Sequence, residues 1–177
     1  MLIPTTGQSG SRLIMHDLLN HGYLLSPNAT IGTYDDSAML FDGAGIDYVR
    51  SLPVDVALKL RDISLLKDLL DMDIIGHYRH PASWMSSIRS KRKEDVRGYQ
   101  FYTDFNKELI RCHKLTGFPL VEHGPSYIFD FGRALEYYGV HFVASRYDGS
   151  RMCKPAAGDV PDHAMAVYEE LCELRSI

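Results

Sequence analysis

The opening segment, MLIPTTGQSGSRLIMHDLLNHG, constrains the fold more than any other stretch. Leu2 and Ile3 make a short apolar start that ends in Thr5-Thr6, and Gly7 to Ser11 is a turn of small residues. From Arg12 to Asn20, Leu13, Ile14, Leu18 and Leu19 recur at helical spacing, with Gly22 placed to close the helix in a left-handed conformation. Strand, glycine turn and amphipathic helix in that order form the first unit of a layered α/β sheet. Such a turn aims backbone N–H groups at one point, and the helix start adds about half a positive charge there. A phosphate or sulfate group is its natural occupant, while a plain strand-to-helix turn is the simpler reading.

The rest of the chain continues the alternation. Val54 to Leu60 reads as a strand, Ile63 to Met72 as a helix and Asp73 to Tyr78 as a second buried strand. Pro81 suits the first turn of a helix through Trp84 and Ile88 into the basic stretch 89–93, because its missing N–H is not needed there. Phe101, Phe105, Leu109 and Cys112 share one helix face, closed near Gly117. Phe118 to His123 is another short strand, Ser126 is placed to cap a helix reaching Tyr138, and Gly139 follows. A last helix begins at Asp159-Val160-Pro161 and carries Ala164, Val167, Leu171 and Leu174 on one stripe, while 140–158 reads as irregular. No repeat, low-complexity stretch or linker interrupts this, so 1–177 is expected to be one domain.

Composition narrows the class. With 45% apolar and 24% charged residues, disordered and fibrous chains are excluded. No apolar run approaches the roughly 20 residues of a membrane span, and the N-terminus lacks a secretory pattern. A net charge of −4 argues against a basic nucleic-acid binder. The widely spaced Cys112, Cys153 and Cys172 read as free thiols in a reducing compartment, hence a cytoplasmic protein without membrane or nucleic-acid partners.

Two segments carry chemistry. Gln8-Ser9-Gly10-Ser11-Arg12 lacks the lysine of the Walker pattern. His77-Tyr78-Arg79-His80-Pro81 places an arginine at a strand end, with Ser87 eight residues on in the next helix. Arginine offers a bidentate fork and serine a hydroxyl donor, so the pair can clamp one phosphate; a surface arginine and an ordinary helix serine are the bland alternative.

In this order the two segments resemble those of the sulfotransferases that use 3′-phosphoadenosine 5′-phosphosulfate (PAPS). In that family a glycine-containing loop after the first strand holds the 5′-phosphosulfate, and an arginine, often in R-x-P, with a serine eight residues later holds the 3′-phosphate. Arg79, Pro81 and Ser87 match that spacing, and Gly7, Gln8, Ser9, Gly10, Ser11 and Arg12 occupy the loop. Asn28 to Asp36 and Val56 to Asp62 are similar to two further family stretches, as are Pro161 and Tyr168 to Leu171 to the last helix. Gln8 stands where the family has a lysine or arginine.

The resemblance implies a three-layer α/β/α sandwich with a mostly parallel sheet of the P-loop nucleoside triphosphate hydrolase type. It implies transfer of a sulfuryl group from PAPS to a hydroxyl or amine of a small molecule or glycan, releasing 3′-phosphoadenosine 5′-phosphate (PAP), with no metal required. Asp35 falls where the family has a carboxylate base, with Asp36 as second choice. Lys59, Arg61 or Arg12 would stabilise the leaving group. Turn residues and a surface ion pair are the bland readings of Asp35, Asp36 and Arg61.

Other features fit this scheme loosely. His77 and His80 do not share a strand face, and no ligand set at zinc spacing is complete, so a metal centre is not expected. His123 ends a strand on what would be the ligand side of the sheet, which makes it a further site candidate. The basic run 89–93 reads as a solvated helix end with a modest steering field. Trp84 or Tyr34 is a candidate to stack on adenine. Two other functions stay open: a PAP-binding protein without transfer activity, favoured by Gln8, and a small-molecule kinase, disfavoured by the missing lysine.

Overall fold

Among the described residues every strand pairing within the sheets is parallel. The computed structural model describes residues 1–7, 10–37, 45–91, 98–144 and 158–175. In chain order the elements are β1 (Leu2–Pro4), α1 (Ser11–Asn20), β2 (Leu24–Leu25), α2 (Ile46–Ser51), β3 (Val56–Leu60), a 3-10 helix (Ile63–Asp68) and β4 (Gly76–Tyr78). They continue with α3 (Pro81–Lys91), α4 (Tyr99–Thr116), β5 (Leu120–Glu122), α5 (Tyr127–Tyr137) and α6 (Asp162–Arg175). The chain is a mixed α/β protein, and among its described residues no helix is long and apolar enough to cross a membrane.

Strand β3 lies between β1 and β2, with Ile3 opposite Lys59 and Leu25 opposite Ala57. Strand β4 pairs β5, with His77 opposite Val121. The two groups meet at Leu2, which bridges Ile74 in parallel, donates to Asp73 O at 2.7 Å and accepts from Ile75 N at 3.0 Å. Reading across gives β2-β3-β1-β4-β5. The chain therefore builds to one side of β1 and then crosses to the other, so the turn after β1 sits where the direction of building reverses.

Strand residues alternate between two apolar clusters, as a pleat with both faces covered requires. Leu2, Leu58, Ile74 and Leu120 pack with Leu109 and Cys112 of α4 and Val167 and Leu171 of α6. Ile3, Ala57, Ile75 and Val121 pack with Ile14 and Leu18 of α1 and Tyr127 and Phe131 of α5. Each fully buried large apolar side chain contributes about 1.5–3 kcal/mol.

Helix ends follow local chemistry. Tyr23 N donates to Leu18 O at 3.1 Å and Gly22 N to Leu19 O at 3.2 Å, with Gly22 at φ +98°, so α1 closes in the left-handed manner its sequence predicts. Three expectations change. The helix expected over 63–72 is a 3-10 helix ending at Asp68, because the Asp62 carboxylate takes both the Ser64 amide and hydroxyl and starts a tighter turn. Ser126 precedes α5 without a side-chain cap; its hydroxyl lies 3.1 Å from Asp130 and 2.6 Å from Arg175. Trp84 is fully buried beside Tyr102 and Ile88, which removes it as a stacking platform for adenine. Cys112 is a free thiol, Cys172 Sγ lies 3.8 Å from the Tyr78 hydroxyl, and Cys153 lies outside the described residues.

Candidate functional site

The carboxyl ends of β1, β3, β4 and β5 bring the chemistry together. After β1 the chain runs through Thr5, Thr6 and Gly7, all buried. Gly7 N donates to Thr5 Oγ1 at 3.2 Å, and Gly7 O accepts from Thr6 Oγ1 at 3.1 Å and from the Trp84 indole at 2.9 Å. Gly10 precedes α1 at φ +95°, a conformation that favours glycine, and Ser11 is buried as the first helical residue. Gln8 and Ser9 lie outside the described residues. Arg12 is exposed on the first turn of α1.

The His123 ring closes on Gly10. A Cβ at Gly10 would lie 2.3 Å from His123 Nδ1 and 2.6 Å from Cε1. His123 follows β5, held by a 2.8 Å bond from its amide to Tyr78 O, and its ring centroid is 6.0 Å from that of His77. His77 is 1% exposed, and its pKa falls well below the ordinary value, first from burial and then from the charges of His123, Arg79 and Lys59.

Lys59 and Arg61 supply the cations of β3. Lys59 is buried; its ammonium reaches the Thr33 carbonyl and lies 3.3 Å from Asp35 Oδ1. Burial lowers its pKa to about 8, opposed by Asp35 and reinforced by Arg61 and Arg12. Arg61 Nη2 donates to the same Asp35 oxygen at 2.6 Å. Burial would raise the pKa of Asp35, but the Arg61 hydrogen bond and the charges of Lys59 and Arg61 outweigh it and hold the carboxyl below its usual value. Asp35 therefore stands ionised between two cations. Asp36 acts on the loop instead. It is buried and accepts from Ser26 Oγ and, at 2.6 Å, from Tyr48 OH, which anchors the segment that carries Asp35.

Arg79 follows β4 and is buried, with its carbonyl taking the Tyr102 hydroxyl at 2.7 Å. Ser87 is half-buried on α3, one helical turn beyond the buried Ser83. Thus Lys59 and Arg61 share Asp35, the charge of Arg12 reaches Lys59, and the charges of Arg79, Lys59 and His123 reach His77. Cations at strand ends offer the chemistry to bind an anion and to neutralise charge on a leaving oxygen. Among the described residues no group of three or more His, Cys, Asp or Glu comes together to hold a metal ion.

Sequence reasoning did not foresee the Trp84 indole on the turn or the His123 ring on Gly10. The only signals were one tryptophan in a serine-rich helix start and a histidine at a strand end. A groove of about 370 Å³ along the far side of β5, lined by His113, Phe118, Arg133, Tyr137 and Arg175 among others, shares no residue with the site. No family model, curated protein or solved structure matches the chain.

Proposed function

We propose that this protein is a sulfotransferase-like enzyme that binds PAPS and passes its sulfuryl group to a hydroxyl or amine of a small molecule or glycan. One observation carries the reading: the turn at the end of β1 and the buried Arg79 at the end of β4 lie at adjacent strand ends, where the direction of sheet building reverses. Open α/β sheets bind ligands there. The order β2-β3-β1-β4-β5 and the two apolar clusters support a three-layer α/β/α sandwich of the P-loop type.

In this reading the backbone N–H groups of Gln8 to Ser11, with the start of α1, hold the 5′-phosphosulfate in the turn that begins at Gly7. Arg79 and Ser87 hold the 3′-phosphate. The acceptor oxygen or nitrogen attacks sulfur in line, the bond from sulfur to the bridging phosphate oxygen breaks, and PAP leaves. Lys59, Arg61 or Arg12 neutralises the charge that develops on that oxygen, and Asp35 takes the acceptor proton. Positioning, charge neutralisation and this proton transfer carry the reaction without a covalent intermediate, by analogy with phosphoryl transfer.

Gln8, in place of a loop cation, favours a second reading: a protein that binds PAP and transfers nothing. Calorimetric titration with PAP in the absence of magnesium tests what the two share, and release of PAP from PAPS in the presence of hydroxyl acceptors separates them. Micromolar affinity, about −8 kcal/mol, is the expected result. Binding only of a nucleoside triphosphate with magnesium would replace both with the kinase reading.

A further inference from the structure

Lys59 and Arg61 leave β3 together and reach the same oxygen of Asp35, at 3.3 and 2.6 Å. Lys59 is 2% exposed, and Arg61 is 22% exposed. Two cations this close repel, and burying one costs several kcal/mol unless an anion faces it. Asp35 supplies that anion from a separate loop. The loop is fixed beside it by Asp36 on Ser26 and Tyr48, and by the Ala29–Asp36 bridge. Tyr34, next to Asp35, is held at φ +56°, a region an aromatic residue rarely adopts without compensation nearby.

The match between the carboxylate and its cations is incomplete. Both reach one oxygen, Oδ1, and Arg61 uses Nη2 alone. Arg61 Nε is buried and makes no hydrogen bond among the described residues. A guanidinium fork fits an oxyanion through two parallel bonds. A tetrahedral phosphate or sulfate presents several oxygens and satisfies the fork and the ammonium together.

We propose that Asp35 is an internal counter-ion, standing where an oxyanion of the ligand belongs, and that ligand binding exchanges the two. A phosphate or sulfate ester group takes Lys59 and Arg61, and the Asp35 carboxylate is released toward the acceptor. Asp35 is then a positioning residue before the donor arrives, and it is free to accept a proton only afterwards. Premature chemistry is suppressed because the base is occupied until the donor is seated. No bond is made or broken in the exchange; one ion pair replaces another. This inference rests on the anionic-nucleotide reading given above.

The test is calorimetric titration of wild type, Asp35→Asn and Arg61→Gln with PAP and, in parallel, with inorganic sulfate, after each variant's fold is checked by circular dichroism. Removing the competing carboxylate should tighten binding about tenfold, and removing the guanidinium should weaken it about tenfold. Opposite signs from two partners in one ion pair are what exchange requires. Asp35→Asn binding no more tightly than wild type, or Arg61→Gln binding equally well, overturns the proposal. If Asp35→Asn fails to fold, Asp35→Ala takes its place and must show the same gain in affinity. If wild type ignores PAP while Asp35→Asn gains sulfate affinity, the exchange stands and the nucleotide reading falls.

Discussion

The indole N–H of Trp84 donates to the carbonyl of Gly7 at 2.9 Å, and both groups are buried. This bond ties the first turn of α3 to the turn after β1 across 77 residues. It fixes the path of the chain just before the backbone amides that would meet a phosphate. Trp84→Phe keeps the aromatic contact with Tyr102 and deletes the donor. Thermal and urea unfolding should show a loss of about 1–2 kcal/mol, and PAP should bind more weakly. Unchanged stability and affinity would show that the bond does not support the turn.

Two glycines share a left-handed backbone and differ in surroundings. At Gly22, φ +98°, nothing lies within 4 Å of where a Cβ would stand, whereas at Gly10, φ +95°, that atom would meet the His123 ring at 2.3 Å. Gly22→Ala should therefore cost about 1–2 kcal/mol from the backbone alone. Gly10→Ala should cost a further 1–3 kcal/mol or so, because the buried ring must move. Equal losses in urea unfolding would mean that the close approach of His123 carries no energy.

The opposed groups Lys59 and Asp35 give stability a pH dependence with defined signs. The pKa of Lys59 is lowered from 10.5 to about 8. Between those values the unfolded chain holds more protons at this residue, so its contribution to stability rises with pH. The stability gap between Lys59→Met and wild type should shift in favour of wild type from pH 8 to 10.5, by on the order of 1–3 kcal/mol. A gap constant across that window contradicts the account.

Asp35 acts at the acid end. Its folded-state pKa is lowered, so its stabilisation is present above the ordinary carboxylate value and is lost as pH falls through the folded value. Asp35→Asn should be less stable than wild type at pH 7 and lose less stability on acidification below pH 4 or so. Parallel acid unfolding of the two proteins would exclude the ion pair as a stabilising contact.

Local chemistry was legible in the sequence, and long-range pairing was not. Gly22 and Gly117 close their helices in left-handed conformations as their spacing predicts, and Phe105, Leu109 and Cys112 form the buried stripe of α4. The strand-turn-helix opening is equally plain, because period and punctuation lie within a few residues. Ile63 to Met72 misleads, since its apolar spacing suits an α-helix while the Asx turn at Asp62 sets a tighter one. Ser126 misleads for the opposite reason: its hydroxyl serves Asp130 and Arg175, and Arg175 is 49 residues away.

The site divides the same way. Arg79 and the glycine turn are legible as strand-end features, because parallel strands deliver their carboxyl ends to one side, while Lys59 is a candidate only through the resemblance of Val56 to Asp62 to a family stretch. The sharing of Asp35 by Lys59 and Arg61 follows from how the 28–36 loop folds over β3, which no spacing encodes. Trp84 looked like a ligand platform because an aromatic side chain in sequence carries no sign of its burial.

The most direct test compares PAP with adenosine 5′-monophosphate, which lacks the 3′-phosphate, on wild type and Arg79→Ala by calorimetry. A charge-assisted contact contributes about 1.5–3 kcal/mol, so wild type should prefer PAP by about 10- to 100-fold. The account predicts that Arg79→Ala loses this preference while its weaker affinity for the monophosphate is kept. Equal affinity of wild type for both nucleotides, or an undiminished preference in Arg79→Ala, would contradict it.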